Sequence, residues 1–284
     1  MIDPRRATLL VPSCDRYADV WGPFFALLRR HWPDCPFRVV LGTNHRVCDE
    51  PGVETLRIGD DRDWSSGVLA MLDRTESDTV LVMLEDYLLR SRVDTGAVLA
   101  RLGDHEALGA AYLRLRPFPA PDFPLARFEA VGEIAPMAPY RAALQAVYWR
   151  RASLRALLVP GENPWEFEIV GSRRSDTHPL GFYATWTPHL DYYAGVTAGQ
   201  WIPYAVALCR EHGVQVDLEA RPMMDAPQAL RRNVGRAVNE AFSLIPWRAR
   251  ERALRWFRAT GLRKPPGRVT APGVRPAPPK GEGP

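Results

Sequence analysis

Lysine is almost missing from this 284-residue sequence: Lys264 and Lys280 are the only two among 37 basic residues. A bias so complete reflects a GC-rich coding composition more than a phosphate-binding code. It also argues against a nucleic-acid module, which clusters basic side chains with exposed aromatics on one face. Cysteine is sparse too. Cys14, Cys35, Cys48 and Cys209 form no Cys-x-x-Cys pair and stand at no zinc-site spacing from a histidine, so they are expected to be reduced and unconnected. His105, His178, His189 and His212 fall at no metal-ligand spacing either. No serine is framed as Gly-x-Ser-x-Gly, and Gly-x-Gly-x-x-Gly and the P-loop are both absent, which disfavours a hydrolase elbow, the usual dinucleotide fold and a P-loop NTPase. The first apolar run, residues 7–11, is too short for the hydrophobic region of a secretory signal and far too short to span a bilayer. A cytoplasmic protein is expected, with peripheral contact at the inner membrane face as the variant of that expectation.

Hydrophobic residues make up 46% of the chain and charged residues 25%, proportions that exclude a fibrous or disordered protein and allow a sizeable core without disulfide staples. Strand-like runs at 8–12, 37–41, 53–58 and 79–84, the first and last of them apolar after an initial threonine, alternate with helical patterns at 21–33 and from about 67 to 74. Continuous apolar strands separated by helices predict a mixed, mostly parallel α/β sheet covered on both faces. Further on, a helix is expected over 95–102, strands over 107–115 and 145–149, a helix over 152–158 and another over 199–212. A proline-rich loop fills 116–124.

The domain expected for residues 1–225 is followed by a basic helical extension, 226–262, and by a Pro/Gly/Arg-rich tail, 263–284, whose composition predicts disorder. In residues 245–258 aromatic and aliphatic side chains interleave with arginines. Such a helix either lies on an anionic membrane or packs its apolar side on the domain with its arginines solvated.

Ligands of parallel sheets bind beyond the carboxyl ends of the strands, and polar residues gather at those ends here. Glu85 and Asp86 follow the strongest strand. They form either an oxygen-ligand pair for Mg or Mn against a diphosphate, or an acidic cap on the next turn. Ser13, Asp15 and Tyr17 follow the first strand, where the short polar side chains suit a nucleotide's base and ribose or the N-cap of a helix. Glu166 and Glu168 lie among Trp165 and Phe167. If the segment is extended, both carboxylates share one face and one of them can serve as general base on a hydroxyl, the alternative being a solvated acidic edge. Asp176 and His178 lie close by in sequence.

Residues 11–17 (VPSCDRY), Trp64-Ser65, Leu84-Glu85-Asp86-Tyr87, residues 163–168 (NPWEFE), and the block from Gly199-Gln200-Trp201 to Asp217 and Arg221 together resemble a family of bacterial glycosyltransferases with the GT-A fold, over about residues 8–221. The resemblance implies a Rossmann-like sheet, a nucleotide-sugar donor, and a glycan, lipid-linked or small natural-product acceptor, as in polysaccharide biosynthesis. It assigns Ser13, Asp15 and Tyr17 to the nucleotide pocket, Trp64, Ser65 and Glu85 to the donor, Asp86 to a divalent cation, Mg or Mn, or to the sugar, and Glu166 to the base with Glu168 second. A single base fits an inverting displacement. The sequence departs from the fold's Asp-x-Asp, because Tyr87 follows Glu85-Asp86, and arginines such as Arg173 and Arg174 offer another means of stabilising the departing nucleotide. The rival readings are an idle binding protein or membrane-surface adaptor, and a nucleotidyltransferase.

Overall fold

Both faces of the first strand are buried, and the architecture follows from that. The computed structural model describes residues 3–243, together with Ala249 and Arg252. The chain divides into two units, Met1–Trp247 and Arg248–Pro284. All of the second except Ala249 and Arg252 lies outside the described residues, as do most of the basic stretch 245–258 and the whole tail 263–284.

β1 (Ala7–Pro12) leads through a 3-10 turn, Asp15–Tyr17, into α1 (Ala18–His31), β2 (Arg38–Thr43), β3 (Val53–Arg57), α2 (Trp64–Asp73) and β4 (Thr79–Val82). Next come β5 (Tyr87–Leu89), α3 (Thr95–Ala107), β6 (Tyr112–Arg114), β7 (Phe123–Pro124), β8 (Val131–Glu133), β9 (Val147–Arg150) and α4 (Arg151–Leu157). α5 (Pro164–Glu166) continues through a π-helical turn, Phe167–Gly171, into α6 (Ser172–Arg174). β10 (Phe182–Thr185), β11 (Tyr192–Ala194), β12 (Val196–Thr197), β13 (Gln200–Trp201), α7 (Pro203–Glu211) and α8 (Ala226–Ser243) complete the described chain.

The main sheet has the order β3-β2-β1-β4-β9-β6-β10-β8-β7. β1 pairs in parallel with β2 and β4, and β2 with β3. β9 runs antiparallel between β4 and β6, and β8 antiparallel to β10. The protein is therefore a mixed, mostly parallel α/β sheet flanked by helices. Alternation along each strand divides two cores. Leu9, Val11, Leu81 and Tyr148 join Trp21, Phe24 and Phe25 of α1, Leu102 of α3 and Ala205 of α7. Leu10, Val80, Val82 and Trp149 join Val68 and Leu72 of α2 and Leu154 of α4 on the opposite face. Gly42 lets α2 approach β2: a Cβ there would sit 2.0 Å from Met71 Cε.

Several elements differ from the sequence expectation. α2 begins at Trp64, because the Asp63 carboxylate caps it by accepting the Ser66 N–H at 2.8 Å. α3 runs to Ala107, so the predicted strand over 107–115 shrinks to Tyr112–Arg114. Residues 199–212 are not one helix. Ala198 and Gly199, both at positive φ, turn β12 into β13, Trp201 is a buried strand residue, and the helix starts only at Pro203. All four cysteines are free thiols. Among the described residues no helix is long and apolar enough to cross a membrane.

The two-sided core predicts an uneven response to truncation. Phe25→Ala, at a fully buried α1 position, is expected to cost about 3–5 kcal/mol of unfolding free energy in urea titration. Val47→Ala, at a position 58% exposed, should stay within about 0.5 kcal/mol.

Candidate functional site

β4 delivers the acidic pair. Its four residues are all buried, Met83 N still donates to Leu10 O at 3.1 Å, and then the chain turns, with Tyr87 N donating to Leu84 O and Leu88 N to Asp86 O. The ladder ends where the carboxylates begin, since carboxylates continued into the sheet would lie in an apolar core without partners. Glu85 and Asp86 are half-buried at the carboxyl edge of the sheet.

Three other segments close around them. From the loop after β1, the Ser13 hydroxyl lies near enough to Glu85 to favour its ionised form and accepts Trp21 Nε1–H at 2.8 Å. From the hairpin β12-β13, Val196 N–H donates to Asp86 Oδ2 at 3.3 Å, while the neighbouring Gly195 N–H donates to Asp86 O at 2.6 Å. Third, Arg221 forks onto Asp19 at 2.8 and 2.9 Å, donates to Arg16 O at 3.0 Å, and lies 4.4 Å from the centre of the Tyr17 ring. Arg221 is buried, and this bridge ties the segment after α7 to the start of α1.

The electrostatics follow from this enclosure. Burial, reinforced by the Asp86 charge, pushes the Glu85 carboxyl up to about 8, against the opposing pull of Ser13 and Arg221. Burial lifts Asp86 to about 6, opposed by the Val196 N–H and by Arg232 and Arg221. The Tyr17 hydroxyl and the Cys14 thiol are pushed up by burial and by Glu85. Two adjacent carboxylates that resist ionisation in this way form an oxygen-only donor set that a divalent cation would relieve. Among the described residues no group of three or more His, Cys, Asp or Glu side chains could hold a metal ion, so any cation here would rest on this pair and on ligand oxygens.

The structure brings Ser13, Tyr17, Glu85 and Asp86 together. Asp15 sits in the same loop but its carboxylate is committed: Oδ1 accepts the Asn44 N–H at 3.0 Å, and both oxygens accept from the His45 and Arg46 N–H groups at 3.1 to 3.3 Å. With Asp15 N–H donating to Asn44 Oδ1 at 2.9 Å, it splices the loops after β1 and β2. Trp64 and Ser65 form the first turn of α2. Ser65 is fully buried and donates its N–H to Glu162 O, and Trp64 packs on Phe167 at 5.5 Å.

The acidic segment after residue 163 is helical, not extended, because Asn163 and Glu166 form a reciprocal capping box ahead of Pro164. Glu166 and Glu168 therefore point about 200° apart around a helix instead of sharing a face. Glu166 is exposed, with Oε2 accepting Asn163 N–H at 3.0 Å. Glu168 turns inward, and Oε1 accepts Leu144 N–H at 2.7 Å, while Leu144 O accepts the Tyr87 hydroxyl at 2.5 Å. Burial raises the Glu168 carboxyl, opposed by the Leu144 N–H and by Arg114. Arg174 is bound to Glu162 at 2.6 Å and to Leu157 O, and Asp176 accepts the Met137 N–H, so neither is free to serve the pair. His178 Nδ1 accepts Leu180 N–H.

Arg221, Val196 and Arg232 are the neighbours of the pair that motif reading did not assign. Arg221 stood in the last block of the resemblance and Arg232 in the basic extension, whereas Val196 stood in no motif. A cavity of about 410 Å³ beside α7, lined by Val206, Arg210, Val214 and Val216, includes none of these residues.

Raised carboxylates make stability depend on pH. Below about pH 3 both groups carry protons in either state. As pH rises toward 8 the unfolded chain ionises first, so the favourable contribution of the protonated, folded pair is lost across that window. In EDTA, Glu85→Gln should melt higher than the parent at pH 8 and much nearer to it at pH 4.5. An equal offset at both pH values, measured by thermal denaturation, would contradict the burial of this charge.

No protein-family model and no curated protein matches the chain. Among solved structures it is similar to residues 1–349 of TarS from S. aureus in complex with UDP, at 13% identity over 75% of this chain and 67% of that one, with a TM-score of 0.45. It is similar also to a CMP:2-keto-3-deoxy-manno-octonic acid synthetase complexed with CTP, at 11% identity over 73% and 97%, TM-score 0.42. A third similarity is to a cytidylyltransferase from Leptospira borgpetersenii serovar Hardjo-bovis, at 13% identity over 61% and 72%, TM-score 0.38.

Proposed function

We propose that the protein is a glycosyltransferase of the GT-A type, which moves a sugar from a nucleotide-activated donor to an acceptor hydroxyl. One observation carries the reading. The parallel strand β4 presents Glu85 and Asp86 at the carboxyl edge of the sheet, facing the Ser13 and Tyr17 loop of β1, with arginine charge around them. Such an edge is where open α/β sheets bind their ligands. The motif order along the chain and the acidic pair after the fourth strand agree with the resemblance stated above.

On this reading Ser13 and Tyr17 line the nucleotide pocket, and Asp15 holds that pocket's two loops together instead of touching the ligand. Glu85 and Asp86 would hold a Mg or Mn ion, which neutralises charge on the departing nucleotide when bound. For the base, the geometry favours Glu168 over Glu166. Glu168 is half-buried, its carboxyl raised by burial, and linked through Leu144 to Tyr87, the residue after Asp86, whereas Glu166 caps a helix.

The test is turnover of a nucleotide-sugar panel with and without acceptor mixtures. Release of a nucleoside diphosphate or monophosphate is expected, and release of pyrophosphate would mark nucleotidyl transfer instead. Glu168→Gln should lower kcat by about 10²- to 10⁴-fold with KM for donor little changed, and Glu166→Gln should leave kcat within a few-fold. The reverse ranking would return the base to Glu166. Full activity in Asp86→Ala would remove the cation assignment, and no turnover or binding of any donor would remove the reading.

A further inference from the structure

Arg232 stands out among the arginines near the acidic pair because of what it lacks. Arg221 gives its charge to Asp19, and Arg16 pairs with Asp61 at 2.8 Å. Arg232, on α8, meets only neutral groups among the described residues: Nε donates to Thr197 Oγ1 at 3.2 Å and Nη1 to the Tyr204 hydroxyl at 3.0 Å, with the Tyr204 ring centre 5.8 Å from the guanidinium carbon. The Nη2 amino group has no protein partner among those residues. A half-buried guanidinium that, among the described residues, hydrogen-bonds two hydroxyls and no carboxylate is oriented without a direct ion pair.

Its location gives that charge a use. Thr197 directly follows Val196, whose N–H binds Asp86, so one short hairpin holds the arginine and the carboxylate in the same neighbourhood. The hairpin is stiff: its two-residue turn places Ala198 at φ 50° and Gly199 at φ 75°, the left-handed pair of a tight β-turn. Tyr204 is positioned in turn by packing on Tyr193, ring centres 4.3 Å apart, and by its contact with Ala194 O.

We propose that Arg232 is a diphosphate ligand, and that α8 is therefore a working part of the nucleotide-sugar site, closing it through the β12-β13 hairpin, and not a separate basic extension. The inference rests on the donor reading for the identity of its ligand. The diphosphate itself could belong to a nucleotide or be free pyrophosphate, and the two are separated below. Carboxylates that would take a cation, and a forked guanidinium with spare N–H groups beside them, are the two kinds of group a diphosphate engages together.

The experiment is calorimetric titration of the full-length protein, in Mg, with nucleoside diphosphates, the matching monophosphates and inorganic pyrophosphate, for the parent, Arg232→Met, Arg232→Lys and Tyr204→Phe. Arg232→Met should weaken nucleoside diphosphate binding on the order of ten- to a hundredfold and monophosphate binding much less. Lysine, which keeps the charge but not the fork, should recover part of the loss. Tyr204→Phe should show a smaller loss in the same direction, and it carries the test if the Met variant does not fold. Nucleoside diphosphate binding unchanged in both variants would overturn the proposal and leave the donor reading standing. Arg232-dependent binding of pyrophosphate alone, with no nucleotide bound, would keep the anion site and remove the donor reading. Binding of none of these ligands by the parent would remove both.

Discussion

Two carboxylates held side by side at the end of a strand buried on both faces are the constraint around which the rest of this structure is arranged. The sheet cannot continue past Val82 without taking charge into one of its cores, so β4 ends and Glu85 and Asp86 meet solvent only partly. Everything within reach then moderates them: the Ser13 hydroxyl, the Val196 N–H, and the guanidinium groups of Arg221 and Arg232. The compensation is incomplete, and both groups stay raised.

The supporting shell is built from committed side chains. Asp15 saturates three consecutive backbone N–H groups and so fixes the loops after β1 and β2 against each other. Arg221 and Asp19 form a largely buried, bidentate pair with an added carbonyl contact. Breaking such a pair by removing one partner is costly because it strands the other charge. Loops fixed in this way hold the edge that carries Glu85 and Asp86 without using either carboxylate. Glu168 belongs to the same economy, its carboxylate oriented by a backbone N–H yet still half-open.

The strands that carry the site were legible from composition alone. Runs such as residues 8–12 and 79–84 are apolar at every position after an initial threonine, which only a strand covered on both faces requires, and polar residues begin where each run stops. The later half was harder. β5, β8, β10 and β11 are three or four residues long and set by partners, so no periodicity announces them. Trp201 read as part of an amphipathic helix because its spacing to Ala205, Leu208 and Cys209 fits one, yet a tight turn and Pro203 divide the segment. The capping box at Asn163 was present in the letters, and taking the segment as extended set Glu166 and Glu168 on one face when the helix sets them apart.

The sequence by itself determined the class of fold and the place of the acidic pair, since both depend on hydrophobicity and polarity along a single segment. Tertiary structure alone decided which side chains serve that pair. Arg221 meets Asp19 across 202 positions and Val196 meets Asp86 across 110. Such meetings depend on how strands order themselves in the sheet and where loops return, and nothing in the local pattern around either partner encodes the distance between them. The same holds for Asp15, which resembles a ligand group in its motif and became a structural acceptor only because β2 happens to bring three N–H groups to it.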